Sequence, residues 1–69
     1  MKIIFSDNLI IYRNSRQMSQ SKLAKLLNTT QRRVSYLECG AIEPDLATLW
    51  KLADIFDVSI DEVLGRSNL

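Results

Sequence analysis

The sequence lacks histidine altogether and contains only one cysteine, two glycines and one proline. Histidine is the side chain that most often performs general acid–base catalysis, and no serine here has a recognisable base and orienting residue. Two glycines are too few for a glycine-rich phosphate loop, and the carboxylates do not follow the spacing of a Ca²⁺-binding loop. We therefore expect no catalysis, no cofactor, no metal site and no small-molecule ligand.

The lone cysteine, Cys39, excludes a disulfide within the chain and fits a reducing compartment. It could act as a redox sensor, but without a neighbouring histidine we interpret it as an incidental surface residue near a turn. Long apolar runs are also missing, since MKIIF is too short for a signal peptide and no later run approaches the roughly 18 residues of a membrane span. We expect a cytoplasmic protein without membrane contact.

What the chain does contain is enough apolar residues, 46% of 69, to pack a small core. No segment alternates apolar and polar residues as a half-buried strand would. Repeats and linkers are absent as well. We therefore expect residues 1–69 to form one all-α domain.

Charge is distributed unevenly along the chain. Residues 1–37 carry seven bases and one acid, a charge of +6, whereas residues 38–69 carry two bases and seven acids, a charge of −5. Two ordinary solvated faces would normally mix both signs. Such a dipolar chain can present one basic face to a polyanion while its net charge stays at +1.

Start and stop signals divide the chain into five predicted helices. The predicted N-caps are Ser6, Ser19, Thr30, Asp45 and Ser59, and the residues expected to end helices are Asn28, Gly40 and Gly65. Phe5 and Ile10 would form a hydrophobic staple across the first cap, and Glu62 would complete a capping box with Ser59. Only two residues separate Asn28 from the third helix, which predicts a sharp corner between helices two and three.

Helical spacing also predicts the core. The predicted core residues are Leu9, Tyr12, Leu23, Ala24, Leu27, Val34, Leu37, Leu46, Leu49, Trp50, Ala53, Phe56, Ile60, Val63 and Leu64. We interpret Trp50 and Phe56 as core residues rather than as part of a cofactor site. Ile10 and Ile11 are expected to be buried under MKIIF, with a partner surface as the alternative.

The third predicted helix, from Gln31 to about Cys39, begins with Gln31, Arg32 and Arg33. The helix macrodipole favours acids in a first turn, so two arginines there cost a few tenths to about 1 kcal/mol. Taken by themselves, the two arginines are best interpreted as solvated surface charges, and the pattern leaves open what lies outside this end of the helix.

Several short motifs follow one another in a fixed order, namely Gln20, Leu23-Ala24, Glu38-Cys39-Gly40, Pro44 and the apolar helix from Leu46 to Phe56. Their order and spacing resemble the Cro/repressor (Xre-like) helix-turn-helix family. The resemblance covers about residues 5–65. It implies a compact five-helix, lambda-repressor-like fold in which helix two lies across the DNA backbone and helix three enters the major groove.

The resemblance also implies roles for individual residues. Bases would be contacted by Gln31, Arg32 and Tyr36, with Ser35 as a secondary candidate; the DNA backbone would be contacted by Gln20, Lys22, Thr30 and Arg33. For Arg33, base contact is the alternative. Tyr36 departs from the small or amide residue usual at its position. Arg13 and Glu38 match a pair that commonly forms an internal salt bridge in this family.

The function implied is that of a sequence-specific transcriptional regulator, most readily a repressor, that binds double-stranded DNA as a homodimer at a palindromic operator. We place the dimer patch in the region of helices four and five, with four apolar candidates. They are Val58, Val63, Leu64 and Leu69. The alternative is a protein-interaction module or antitoxin that keeps the helical fold.

Overall fold

A computed structural model of the protein describes residues 5–65, and these residues form five α-helices without a strand. The helices are α1 (Phe5–Ser15), α2 (Gln20–Leu26), α3 (Gln31–Cys39), α4 (Leu46–Phe56) and α5 (Ile60–Leu64). Helix α3 packs on α1 and α2, while α5 packs on α1 and α4. The predicted all-α, five-helix architecture is confirmed. In the described part of the chain no helix is long and apolar enough to cross a membrane.

Side-chain caps begin the last four helices. The side chains of Ser19, Thr30, Asp45 and Ser59 each accept a hydrogen bond from the backbone N–H three residues later. Each of these bonds satisfies a donor that the first helical turn leaves unpaired. Glu62 completes the predicted capping box with Ser59. These four caps were predicted correctly.

The first helix begins earlier than predicted. Phe5 is already helical, so Ser6 lies inside α1 and is not its N-cap. The predicted staple between Phe5 and Ile10 across that cap is therefore wrong as well. Phe5 instead belongs to the core, with 6% of its surface exposed. Burial of an aromatic ring gains more than a single cap, which explains why the helix extends to include it.

Residues with a left-handed backbone conformation (positive φ) lie at the ends of several helices and change the direction of the chain there. Gly40 and Gly65 have φ values of 79° and 81°, and Asn28 and Asp57 have values of 57° and 56°. Asn28 lies in the corner between α2 and α3, where its short polar side chain tolerates this conformation. The corner therefore holds α3 at a fixed angle to α2, which determines where the front of α3 points.

The core lies between all five helices and is formed by Phe5, Leu9, Leu23, Ala24, Leu27, Val34, Leu37, Leu49, Leu52, Phe56 and Val63. Most of these residues were predicted. Tyr12, Ala53, Ile60 and Leu64 are half-buried and pack against this core. Tyr12 stacks on Phe56 with 5.4 Å between ring centroids.

The prediction for helix α4 was partly wrong. Leu46 and Trp50 are 84% and 66% exposed, whereas Leu52, which the pattern did not single out, is completely buried. Apolar residues occur on several sides of α4, and each residue turns the helix by about 100°, so helical spacing alone allows more than one buried stripe. Packing on α5 selects the stripe that contains Leu49, Leu52 and Phe56.

The predictions for Ile10 and Ile11 and for the dimer patch also need correction. Ile11 is 61% exposed and Ile10 only half-buried, so the extra burial expected at this end of α1 is not observed for Ile11. Residues 1–4, which were expected to cover them, lie outside the described residues.

Two residues of the predicted dimer patch cannot be kept as candidates. Val63 is fully buried and cannot belong to a dimer patch, and Leu69 lies outside the described residues.

Candidate nucleic-acid interface

The exposed end of α3 carries the residues that the sequence singled out. Val34 and Leu37 face the core and are completely buried. On other sides of the helix, Gln31 and Arg32 are exposed, Tyr36 is 44% exposed and Ser35 is half-buried. Burial of one stripe thus leaves a polar surface pointing away from the core.

The electrostatics of this surface are positive. Helices α2 and α3 have no acid in their first turns, and the macrodipole of α3 adds positive potential at its front end. The ion pairs found among residues 5–65 involve Arg13 and Arg33, which leaves Arg32 without a carboxylate partner within that range. An exposed guanidinium at a helix N-terminus is well suited to bind an anion.

Arg33 is engaged more than the sequence suggested. Its Nη2 atom lies 3.8 Å from Oδ2 of Asp45, the residue that caps α4. Hydrogen bonds from Thr48, and then the charge of Arg33, hold the pKa of Asp45 below its ordinary value of 3.8. Asp45 is therefore ionised at neutral pH, and its charge lies beside the basic surface. The sequence carried no signal for this contact, because the two residues belong to different helices.

The predicted pair of Arg13 and Glu38 is present and nearly buried. Nε of Arg13 lies 2.5 Å from Oε2 of Glu38, and the two side chains are 14% and 6% exposed. A second guanidinium nitrogen donates to Oε1 of Glu38 at 3.1 Å, and a third donates to the carbonyl of Met18 at 2.8 Å. The pair ties α1 to the end of α3 and to the turn before α2.

A chain of amide hydrogen bonds leads from this ion pair to the front of α3. Nε2 of Gln20 donates to Oε1 of Glu38 at 3.0 Å, and Nε2 of Gln31 donates to Oε1 of Gln20 at 3.4 Å. The hydroxyl of Ser21 donates to Oε1 of Gln31 at 2.9 Å. The structure thus brings Gln20 and Gln31 together and adds Ser21, which sequence reasoning did not identify.

Lys22 and Thr30, two of the predicted backbone-contacting residues, are both exposed. Lys22 lies in the first turn of α2, and Thr30 precedes α3. The Thr30 hydroxyl already accepts from the backbone N–H of Arg33 at 3.2 Å as the cap of α3. Both residues therefore lie near the starts of the two helices that form the corner.

Arg16, to which the sequence analysis gave no role, makes structural contacts as Arg13 does. Arg16 donates a hydrogen bond to the carbonyl of Phe56 and places its guanidinium 5.7 Å from the centre of that ring. It thereby ties the end of α1 to the end of α4. Among residues 5–37, the basic side chains are thus divided between structural contacts and the exposed surface of α2 and α3.

Residues 9–63 match the family model described as helix-turn-helix (HTH_3). The chain belongs to the helix-turn-helix (HTH_3) family. This family consists of helix-turn-helix domains rather than enzymes, in agreement with the expectation drawn from the sequence. The matched range contains the whole of α2, the corner and α3.

Similar proteins of this family occur in Bacillus and Listeria. The chain is 38% identical over 66 residues to the uncharacterised HTH-type transcriptional regulator YqaE of Bacillus subtilis, covering 94% of this chain and 57% of that protein. A transcriptional regulator from Listeria innocua superposes with a TM-score of 0.92 at 32% identity, covering 100% of this chain and 64% of that one. The chain spans about half the length of the curated relatives it matches.

The fold is also that of the P22 c2 repressor in its complex with a synthetic operator. The TM-score is 0.85 at 19% identity, covering 97% of this chain and all of that one. At this identity the likeness shows the fold alone. It confirms the predicted lambda-repressor-like arrangement of the five helices.

Proposed function

We propose that this chain is the DNA-binding part of a transcriptional regulator and that α3 enters the major groove by its N-terminal end. The observation that carries the proposal is the exposed front of α3, where Gln31 and Arg32 project from a helix whose opposite side is fully buried. The major groove admits a helix and presents a distinct donor and acceptor pattern at each base pair. Support comes from YqaE, named as a transcriptional regulator, and from the operator-bound P22 c2 repressor.

We assign a DNA contact to each of four residues on this surface from the chemistry of its side chain. Arg32 would donate to O6 and N7 of guanine, and Gln31 would bind adenine through its amide. Tyr36 would pack on a thymine methyl or reach a phosphate, with Ser35 beside it. These four residues would read sequence, since they lie on the side of α3 that faces away from the core.

The remaining contacts would be made to phosphates. Lys22, Thr30 and Arg33 lie at the starts of α2 and α3, where backbone N–H groups and basic side chains attract anions. Gln20 keeps one amide hydrogen beyond its bond to Glu38, and this hydrogen can reach a phosphate. Such contacts position the protein on the duplex without reading its sequence.

We further propose that the regulator is a repressor that binds a palindromic operator as a homodimer. One helix-turn-helix unit buries little DNA surface. Two units that bind half-sites one helical turn apart, about 10 bp, would contact twice as many base pairs. Of the patch predicted from the sequence, Val58 and Leu64 remain as half-buried candidates. Sedimentation of the free protein and of its complex with a duplex tests this stoichiometry.

Selection of bound duplexes from a random DNA pool, at near-physiological salt, tests the proposed function. Enrichment of an inverted repeat with half-sites about one turn apart is the expected result. Enrichment of a single half-site would overturn the homodimer but not DNA recognition. Retention without any enriched sequence, lost steeply as salt rises, would reduce the function to phosphate-driven binding. No retention at all would overturn the proposal.

Replacing Asp45 by asparagine is expected to tighten DNA binding by about two- to five-fold, the scale of an exposed charge pair. Asparagine caps helices as well as aspartate does, so α4 keeps its first turn. The change removes a negative charge from beside the proposed interface and frees Arg33. Fluorescence anisotropy with a labelled duplex measures the affinity.

The matched control for this variant is Asp54→Asn. Asp54 is an exposed acid on the helix that Asp45 caps, nine residues further along, which is about 14 Å along the helix axis at 1.5 Å per residue. Its loss changes the net charge equally and should leave DNA affinity within two-fold of the wild type. Equal tightening by both variants would contradict a specific effect of Asp45.

A further inference from the structure

The hydrogen bonds between the buried ion pair and the front of α3 have a defined direction. Both oxygens of the Glu38 carboxylate accept hydrogen bonds from Arg13, and Gln20 turns its Nε2 toward Oε1 to donate a further one. The Oε1 atom of Gln20 then faces Gln31, which must donate from its own Nε2. The Oε1 atom of Gln31 is thereby directed toward α2, where the hydroxyl of Ser21 donates to it.

The strength of the bonds differs along this path. The amide–amide bond between Gln31 and Gln20 is long, 3.4 Å, whereas the bond from Ser21 to Gln31 is 2.9 Å. Hydrogen bonds near 2.9 Å are at the favoured distance, and they weaken as the atoms separate. Ser21 therefore contributes the shorter of the two bonds that hold the Gln31 amide.

We propose that Ser21 is a positioning residue that fixes the amide of Gln31 for base recognition, an inference that rests on the proposed function. An amide oxygen accepts two hydrogen bonds and an amide nitrogen donates two. Inside the protein Gln31 uses one of each, to Ser21 and Gln20, and keeps one acceptor site and one N–H. This remaining pair matches N6–H and N7 of adenine in the major groove.

The consequence of this arrangement is sequence discrimination rather than affinity in general. Without the Ser21 hydroxyl, only the long bond to Gln20 orients the Gln31 amide, so the amide can rotate more readily about its last torsion angle and exchange the positions of its oxygen and nitrogen. Its preference for one base pair per half-site should then fall by about three- to ten-fold, the scale of one hydrogen bond. Contacts made by Arg32 and by the phosphates are unaffected.

The variant Ser21→Ala tests the proposal without endangering the fold. Ser21 is exposed on α2, and alanine is the better helix former. Affinities are measured for the selected operator and for duplexes changed at one base pair at a time. The expected result is a loss of preference at the base pair that Gln31→Ala also affects, with an unchanged salt dependence. Ser21→Thr keeps the hydroxyl and should restore the preference.

A double-mutant cycle separates positioning from direct contact. If Ser21 acts through Gln31, then Ser21→Ala has no further effect in a Gln31→Ala background. A uniform loss of affinity for all duplexes, with a shallower salt dependence, would mean that Ser21 contacts a phosphate and would overturn the proposal. Ser15→Ala, on an exposed part of α1, is the control for loss of a serine hydroxyl.

Side-chain amide NMR of the free protein provides a readout that needs no DNA. The Gln31 amide resonances should shift in Ser21→Ala and return toward their original positions in Ser21→Thr. Unchanged resonances would overturn the role of Ser21 even if DNA binding is specific. If the wild type binds no specific sequence, the proposed function itself fails, and the role in recognition fails with it.

Discussion

Replacing Glu38 by alanine is expected to lower the free energy of unfolding by about 3–5 kcal/mol, the usual cost of breaking a buried ion pair from one side. The side chain of Arg13 is only 14% exposed, and its guanidinium would lose both of its bonds to Glu38. Gln20 would lose its acceptor as well. A 69-residue domain has a total stability of about 3–10 kcal/mol, so this loss would remove a large part of it.

Chemical denaturation followed by circular dichroism measures this effect. The informative control is the double change Arg13→Met and Glu38→Leu, which removes both charges and leaves apolar side chains of similar size. This double variant should lower the free energy of unfolding by only about 1–2 kcal/mol, much less than Glu38→Ala. No unpaired charge is left behind, and the only other groups that lose a hydrogen bond are the Gln20 amide and the Met18 carbonyl. An unchanged midpoint for Glu38→Ala would contradict the structural role of the pair.

The second large effect is expected for the double change Arg32→Ala and Arg33→Ala, which should weaken operator binding by about 30- to 1,000-fold. A bidentate arginine contact to guanine contributes about 1–3 kcal/mol, and loss of a phosphate contact adds to this and reduces the salt dependence. Arg32 has no carboxylate partner among the described residues, so its full charge is available to DNA. Competition binding with the selected operator measures the loss.

Folding should survive this change. Both residues lie on the exposed or half-buried side of α3, and removing positive charge from a helix N-terminus is neutral or favourable by a few tenths of a kcal/mol. The variant Arg32→Lys with Arg33→Lys keeps the charge but not the planar fork, so it should retain non-specific binding and lose discrimination. Undiminished operator binding by the alanine variant would show that α3 is not the recognition helix.

The contrast between the two variants follows from where each charge lies. Arg13 is held inside the protein by three hydrogen bonds, so its partner Glu38 matters for stability. Arg32 is exposed at the front of α3, so its side chain matters for what the surface binds. Both residues are arginines in the basic half of the chain, and charge counting alone cannot separate these roles.

The helix boundaries show how far the sequence could be interpreted without the structure. Ser19, Thr30, Asp45 and Ser59 were predicted as caps because a cap joins residues only three positions apart. The left-handed residue Asn28 follows from equally local preferences. The failure at Ser6 arose where the non-local burial of Phe5 outweighed a local cap.

By itself, the sequence determined the number of helices, most of the core and the basic front of α3, since these depend on spacing and charge along the chain. Tertiary structure alone decided that Leu52 rather than Trp50 faces the core, that Arg33 lies beside Asp45, and that Ser21 bonds to Gln31. These contacts join residues of different helices or depend on which side of a helix a neighbour covers. The spacing of apolar residues restricts which side chains can be buried, and the packing of neighbouring helices decides which of them are.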